Sequence, residues 1–482
     1  MQILHISAEC YPAAKAGGLG DVAGALPKYL NRHGHKTQVV IPKYQTDWIL
    51  SQKTSKVFEG GAPYGMSEFS FRIEKVEGAG LGFDLFLADI PGRFDREGVY
   101  ADPRSGYAFW DEMDRSFTFQ IAVLEWLVHL KKLPDIVHVH DHHTALAPFM
   151  MSRCFRYEKL RTIPNVLTIH NGEYQGIYDR EAYLRLPAFN LQQLGILDWD
   201  GRFNALAAGI KCAWQVTTVS EGYLGELEKN CHGLEHLLRA EKAKTSGLIN
   251  GIDVEVWDPA TDPLLEKNYN IRSAKSGKEA NKKMLCEEFG LNSEKPLFSF
   301  IGRLVREKGA DLLPKLIQNC SKEELPLNLL ILGTGDPELH KQLIELKEKF
   351  VGYFNTRLEY NESLAHTIYA GSDFLIMPSR VEPCGLNQMY AMRYGTVPIV
   401  RATGGLADTV IDISQPDGYG FTFDELSVDA ALTSIRQAIA LYEKKKPFSD
   451  NRRKIMKLDF SWENAARRYE TLYNQLINGD EI

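Results

Sequence analysis

The chain has 482 residues, of which 44% are hydrophobic and 25% charged, and its formal net charge is −7. That length exceeds what one hydrophobic core serves, because cores stop growing near ~250–300 residues, so two domains are expected. The acidic balance excludes a broad surface for nucleic acid or anionic membrane while leaving room for a small basic pocket, and no run approaches the ~18 apolar residues needed to span a bilayer.

Seven cysteines (Cys10, Cys154, Cys212, Cys231, Cys286, Cys320 and Cys384) are scattered and never form a C-x-x-C pair, which suits free thiols in a reducing cytosol. The chain opens on Gln2-Ile3-Leu4-His5-Ile6-Ser7, a strand pattern rather than a basic stretch followed by an apolar run. A cytoplasmic location is the expectation.

In chain order, strands are predicted at Ile3–Ala8, Gln38–Ile41, Asp84–Ala88, Ile136–His140, Asn165–His170 and Gln215–Val219. Their nearly continuous apolar character is that of parallel strands covered on both faces. Val22, Leu26, Tyr29 and Leu30 make one helical stripe, and Phe117–Leu130 reads as a long apolar helix. Segment 51–115, with scattered glycines and aromatics, gives no clear pattern. Around Asn250–Asn270 turn residues accumulate and periodicity is lost, the signature of a linker. A second series follows at Leu297–Ile301, Leu327–Leu332, Asp373–Met377 and Val397–Val400, and Ser461 is placed to cap a final helix, Trp462–Leu476. The class is α/β, with two Rossmann-like, doubly wound halves: residues 1–250, residues 251–457, and a terminal segment 458–482.

In open parallel sheets ligands gather at the carboxyl ends of the strands, so the loops there are the candidates. The first contains Lys15, Gly17, Gly18 and Asp21 ahead of a helix. Paired glycines admit close approach of a ligand, and the first amides of a helix favour anions. The spacing is neither G-x-G-x-x-G nor G-x-x-x-x-G-K-[ST], which weakens nicotinamide and P-loop readings; a plain glycine-rich turn beside a solvated lysine fits as well. In Gly302-Arg303-Leu304-Val305-Arg306-Glu307-Lys308-Gly309, Arg303 and Lys308 suit a diphosphate, whereas a solvated helix start would favour acidic residues. Glu382, in Glu382-Pro383-Cys384-Gly385-Leu386, serves either to stabilise positive charge on a sugar or as a structural carboxylate. Thr403-Gly404-Gly405 offers a second potential phosphate cradle.

Taken together, Lys-x-Gly-Gly-Leu, Gly-Arg-Leu-x-x-x-Lys-Gly, Glu-Pro-Cys-Gly-Leu and Thr-Gly-Gly-Leu-Ala-Asp-Thr-Val occur in this order along nearly the whole chain, with Asn250-Gly251-Ile252-Asp253 and Trp257 between the first two. In this the sequence resembles the bacterial glycogen synthases and plant starch synthases. The resemblance implies a GT-B fold, two Rossmann-like domains facing across a cleft, with the terminal helix returning to the first. It implies a retaining glucosyltransferase acting on an α-1,4-glucan, with ADP-glucose or UDP-glucose as co-substrate and no separate cofactor or metal. Lys15, Arg303 and Lys308 match residues around the diphosphate, Glu382 the glutamate beside the donor sugar, and His170 a histidine near its primary hydroxyl. Gly18 and Gly405 match backbone donors, Asp21 and Asn250 polar active-site residues, and Tyr360 lies in the segment that meets the base. Cys384, Gly385 and Leu386 belong to the matched glutamate motif.

Three positions depart from the family pattern. Tyr390 stands where the animal-type enzymes have a second glutamate. Asn387 replaces a common threonine near the nucleotide, and Ala207 stands where a lysine is frequent. Two features invite other readings. His138, His140, His142 and His143 around Asp141 suggest a metal site, but alternation puts His138 and His140 on one strand face, and the family has a similar segment without a metal. Asp198-Trp199-Asp200 mimics a metal-binding Asp-x-Asp within a divergent loop and reads as coincidence. The rival functions are a transferase with a small sugar acceptor, a non-catalytic nucleotide-sugar or glucan binder and, third, a nicotinamide enzyme.

Overall fold

The computed structural model describes residues 1–479, so the last three residues of the expected terminal segment lie outside the described part. Two compact units form. The first comprises residues 1–219, 224–248 and the chain from Trp462; the second comprises 220–223 and Ile249–Ser461.

The first unit is built on a nine-stranded sheet. Its strands are β1 (Gln2–Ile6), β2 (Lys36–Pro42), β3 (Thr54–Tyr64), β4 (Ser67–Val76), β5 (Asp84–Asp89), β6 (Ile136–His140), β7 (Asn165–Ile169), β11 (Gln215–Thr218) and β12 (Thr245–Gly247). The spatial order is β12-β11-β7-β6-β1-β2-β5-β4-β3. All neighbours are parallel except β3 with β4 and β4 with β5. That antiparallel hairpin occupies part of segment 51–115. Its first strand is largely exposed at the sheet edge, so its residues lack the continuous apolar run that marked the central strands. A small antiparallel sheet joins β8 (Ile177–Tyr178), β9 (Asp198–Trp199) and β10 (Arg202–Asn204).

The apolar stripe Val22, Leu26, Tyr29 and Leu30 lies in the helix Gly18–Arg32. It packs with Ile3, Ile136 and Val166 of the sheet and with Trp462, Tyr469, Leu472 and Tyr473 of the helix Trp462–Asn478. The long apolar helix runs from Glu112 to Val128, starting five residues before its apolar stretch; Glu112 and Asp114 suit the positive end of its dipole.

The second unit carries six parallel strands: β13 (Leu297–Ile301), β14 (Asn328–Leu332), β15 (Phe354–Arg357), β16 (Phe374–Met377), β17 (Val397–Arg401) and β18 (Phe421–Phe423). Their order is β15-β14-β13-β16-β17-β18, the doubly wound arrangement in which the order of strand addition reverses between β13 and β16. In the first unit the reversal falls between β1 and β6. The stretch Asn250–Asn270 is no free linker. Trp257 stacks on His366 and Tyr390 with centroids 3.8 and 3.9 Å away. Buried Asp262 takes hydrogen bonds at 2.7 Å from His366 and 2.6 Å from the Tyr394 hydroxyl. Among the described residues no helix is long and apolar enough to cross a membrane.

Candidate active site

Both reversal points carry the loops singled out from sequence. After β1 the chain turns through residues 7–17 before its first helix. Buried Glu9 organises this loop: its Oε2 accepts the Ala16 and Gly17 amides at 2.6 and 2.8 Å, and its Oε1 accepts the Tyr100 hydroxyl at 2.6 Å. Lys15 is paired with Asp21 at 2.7 Å and remains partly exposed. The Gly18 and Leu19 amides, first in a helix of 15 residues, meet no protein acceptor among the described residues. Unpaired amides at the positive end of a helix suit an anionic or hydroxyl ligand.

At the ends of β6 and β7 a second group forms. Asp141, held at φ 55°, accepts the backbone amides of His170 and Asn171 at 2.7 and 3.3 Å. The His170 ring reaches back to His140, Nε2 to Nδ1 at 3.1 Å, and His140 Nε2 meets His5 Nδ1 at 3.2 Å. Burial pushes the pKa of His5 down to about 3 and that of His140 well below its ordinary value. For His170 burial lowers it as well, opposed by Asp141 and Glu9. His138 sits between the Tyr473 hydroxyl at 2.7 Å and Thr168 Oγ1 at 2.6 Å.

His5, His138 and His140 are close enough together to suggest a metal site, as are Glu112, His142 and His143. In the first group the rings lie over one another, His138 against His140 at 4.3 Å and 26°, rather than radiating from a point. Five of their six nitrogens are taken by the hydrogen bonds just described. In the second, His142 bonds Glu112 at 3.0 Å and His143 stacks on Tyr100. Asp198 and Asp200 belong to the β9–β10 hairpin, where Asp198 accepts the Gly201 amide at 3.1 Å and faces Arg180 at 3.2 Å. Ala207 is fully buried.

In the second unit Lys308, after β13, and Glu382, after β16, come together across the reversal point, Nζ to Oε1 at 2.8 Å. Ser379 Oγ donates to the other carboxylate oxygen at 2.9 Å, and Glu382 is only 8% exposed. Arg303 extends with 66% side-chain exposure and contacts Glu307 at 3.2 Å. The Glu382 loop is zipped to the loop after β17. The Gly405 amide donates to the Glu382 carbonyl at 3.0 Å, and Arg401 donates to the Ser379 and Arg380 carbonyls at 2.7 and 2.6 Å. Thr403, in extended conformation, immediately precedes the helix that Gly404 and Gly405 begin.

Cys384 is buried, and desolvation pushes its thiol up to about 12. Asn250 donates its backbone amide toward it and keeps a buried Oδ1 without a hydrogen-bond partner. Gly385 and Leu386 form the turn into the helix Asn387–Arg393, and the Asn387 side-chain Nδ2 donates to the Ile301 carbonyl at 2.7 Å. Tyr360 stands ahead of the helix Glu362–Gly371, 79% exposed, its hydroxyl donating to Glu362 at 2.9 Å. Sequence reasoning missed Glu9, Ser379 and Ser220, whose hydroxyl donates to the Pro383 carbonyl at 2.6 Å. It missed His5 as well, although the alternation that pairs His138 with His140 would have found it once β1 was set beside β6 in register.

A doubly wound sheet whose reversal point presents a lysine, a held carboxylate and an extended arginine is suited to a phosphorylated sugar donor. With a second parallel-sheet unit beside it in sequence, this is the architecture of a GT-B glycosyltransferase.

Comparison with known proteins narrows the class. The family description "Starch synthase catalytic domain" matches residues 2–240 and "Glycosyl transferases group 1" matches residues 281–455. The glycogen synthase of Flavobacterium johnsoniae is 47% identical over 478 residues, 99% of both chains, and that of a Hydrogenobaculum species 37% identical over 98% of both. The catalytic domain of starch synthase IV from Arabidopsis thaliana, solved bound to ADP and acarbose, superposes with a TM-score of 0.86 at 32% identity over 99% of each chain. The chain belongs to the glycogen synthase and starch synthase family and is a glucosyltransferase of glycogen or starch synthesis.

Proposed function

We propose that the chain transfers glucose from ADP-glucose to the non-reducing end of an α-1,4-glucan with retention at the anomeric carbon. One observation carries the proposal: the 2.8 Å pairing of Lys308 with buried Glu382 at the reversal point of the second sheet. An ammonium there offsets negative charge gathering on a departing diphosphate, and a held carboxylate offsets positive charge growing on the sugar. Arg303 and Lys15 add cationic charge for the same leaving group, the task a divalent ion performs in other transferases, and neither a metal nor a separate cofactor is invoked. His170 serves the sugar's primary hydroxyl. Gly17, Gly18, Asp21, Asn250, Thr403, Gly404 and Gly405 serve sugar and phosphates, Cys384, Gly385 and Leu386 shape the glutamate loop, and Tyr360 meets the base.

Retention follows from a same-face reaction. The bond from C1 to the phosphate oxygen breaks as the glucan 4-oxygen bonds to C1, and the 4-hydroxyl proton passes to the departing phosphate oxygen. No protein nucleophile is needed. The ADP carried by the plant starch synthase supports adenine as the base of the donor.

A donor panel with a maltooligosaccharide primer is the test. ADP-glucose should exceed UDP-glucose at least about tenfold in kcat/KM, which takes only ~1.4 kcal/mol of differential binding; the reverse order would overturn the donor assignment. Glu382→Ala should lower kcat by about 10²–10³, the usual loss when a charge-stabilising group is removed. Full turnover by that variant, or faster transfer to free monosaccharides than to maltooligosaccharides, would sink the mechanism.

A further inference from the structure

The histidine file in the first unit has a property that none of its members has alone. His5, His140 and His170 are joined by two nitrogen-to-nitrogen contacts, 3.2 and 3.1 Å long. At its inner end His5 Nε2 is buried without a hydrogen-bond partner. At its outer end His170 is partly exposed, and its Nδ1 meets no protein partner among the described residues. His5 and His140 are wholly buried, which keeps them uncharged.

A neutral imidazole carries one proton, on one of its two nitrogens. Each contact needs one proton between its two nitrogens: none leaves two lone pairs opposed, and two leaves a clash of N–H groups. If His140 holds its proton on Nδ1, it donates to His170 Nε2, so His170 must hold its own on Nδ1, and His140 Nε2 must accept from His5 Nδ1. If His140 holds its proton on Nε2, every assignment reverses. Only two arrangements are consistent, and in each the three rings share one tautomer.

We propose that His5 and His140 are positioning residues that act through this file to hold His170 in a single tautomer and orientation, so that its open Nδ1 edge is a fixed hydrogen-bond partner for the substrate. The link to the substrate rests on the reading of His170 given above; the shared tautomer does not. His138 provides an internal control. It packs against the file but has hydroxyl partners on both nitrogens, Tyr473 and Thr168, and is not hydrogen-bonded to His170.

Nitrogen-15 NMR of the full chain labelled at histidine tests the proposal. Expected are one tautomer common to His5, His140 and His170, and a scalar coupling between His140 Nδ1 and His170 Nε2 across their shared proton. Rings in different tautomers, or no such coupling, overturn it, and neither result depends on any variant folding. In His140→Phe the His170 tautomer ratio should change at least about threefold, with the His138 tautomer unchanged. Turnover should fall on the order of tenfold or more, as when an active histidine loses the partner that sets its tautomer, with little change in donor KM. An unchanged His170 ratio, or unchanged kcat in a folded His140→Phe, also overturns the proposal. If the file behaves as expected but His170→Ala keeps full turnover, the assignment of His170 to the sugar fails instead.

Discussion

Gly17-Gly18 and Gly404-Gly405 are the same dipeptide in the same kind of place, at the start of a helix after a parallel strand, yet glycine is there for different reasons. A side chain added at Gly17 or Gly18 would meet nothing within 4 Å, and Gly17 has an ordinary extended backbone. At Gly404 the backbone is left-handed, φ 45°, and an added Cβ would lie 2.2 Å from the Glu382 carbonyl oxygen; at Gly405 it would lie 2.1 Å from that of Cys384. The second pair is demanded by the protein itself, because two loops close on one another there. The first has no such internal cause, which leaves the space beside it for something that is not protein. A glycine pair at a helix start is therefore two different signals, and only the packing around it distinguishes them.

The largest effect that would sharpen this contrast is on stability. Gly405→Ala drives a methyl into a carbonyl held between two hydrogen-bonded loops, where neither backbone yields cheaply. Overpacking of a rigid site costs about 3 kcal/mol or more, roughly 6 °C or more in Tm for a unit of this size. Thermal unfolding of the purified variant checks it, and a Tm within a degree of the parent would mean that the loops are less tightly joined than the distances imply.

Acid should separate the two units next. His5, His138 and His140 are all lowered by burial, so each stays neutral in the folded first unit while its unfolded counterpart takes a proton as pH falls below ~6.5. A depressed pKa contributes stability that is fully present above the unfolded value and lost as pH falls toward the folded one. Each histidine therefore costs up to about 1.4 kcal/mol per pH unit from ~6.5 downward. The depressed carboxylates of the second unit, Asp311, Asp373 and Asp412, act only near and below their ordinary range, about pH 4. Amide exchange between pH 6.5 and 5 should show β1 and β6 losing protection before β16 and β17; the opposite order would refute the assignment.

How much of this was legible beforehand follows the range of the interactions. The central parallel strands were readable because burial on both faces writes itself into consecutive apolar residues, as in Leu297–Ile301, predicted and observed over the same five positions. Lys308 and Glu382 were visible as strand-end residues, but their 2.8 Å contact joins positions 74 apart and depends on β13 lying next to β16. Glu9 carries no local pattern at all; its role depends on Tyr100, 91 positions away. Asn250–Asn270 looked like a linker because its partners, His366 and Tyr394, lie more than 100 positions further on. What local periodicity encodes was readable, and what topology brings together was not.

A smaller effect tests the open pair directly. Gly17→Ala should leave Tm within roughly 2–4 °C of the parent, since glycine and alanine differ at this cap position by no more than about 1 kcal/mol. It should nevertheless lower kcat/KM for the donor about tenfold, because the methyl occupies the space that the ligand uses. Loss of stability without loss of activity would reverse the distinction drawn between the two pairs.

The smallest expected change concerns Asn387, the residue that departs from the family pattern beside the glutamate loop. Its side chain is committed to the protein: Nδ2 donates to the carbonyl of Ile301, the last residue of β13, and so ties the helix Asn387–Arg393 to the strand that leads to Arg303. A side chain used in this way is not available to read a nucleotide base. Asn387→Thr should therefore cost about 1 kcal/mol of stability, the worth of one partly buried hydrogen bond, and shift the ratio of ADP-glucose to UDP-glucose turnover by less than about threefold. Measuring that ratio beside the unfolding midpoint separates the two possible roles. A tenfold change in donor preference at unchanged stability would make Asn387 a reader of the base; the opposite outcome makes it a tie that holds the arginine loop and the glutamate loop on a common frame.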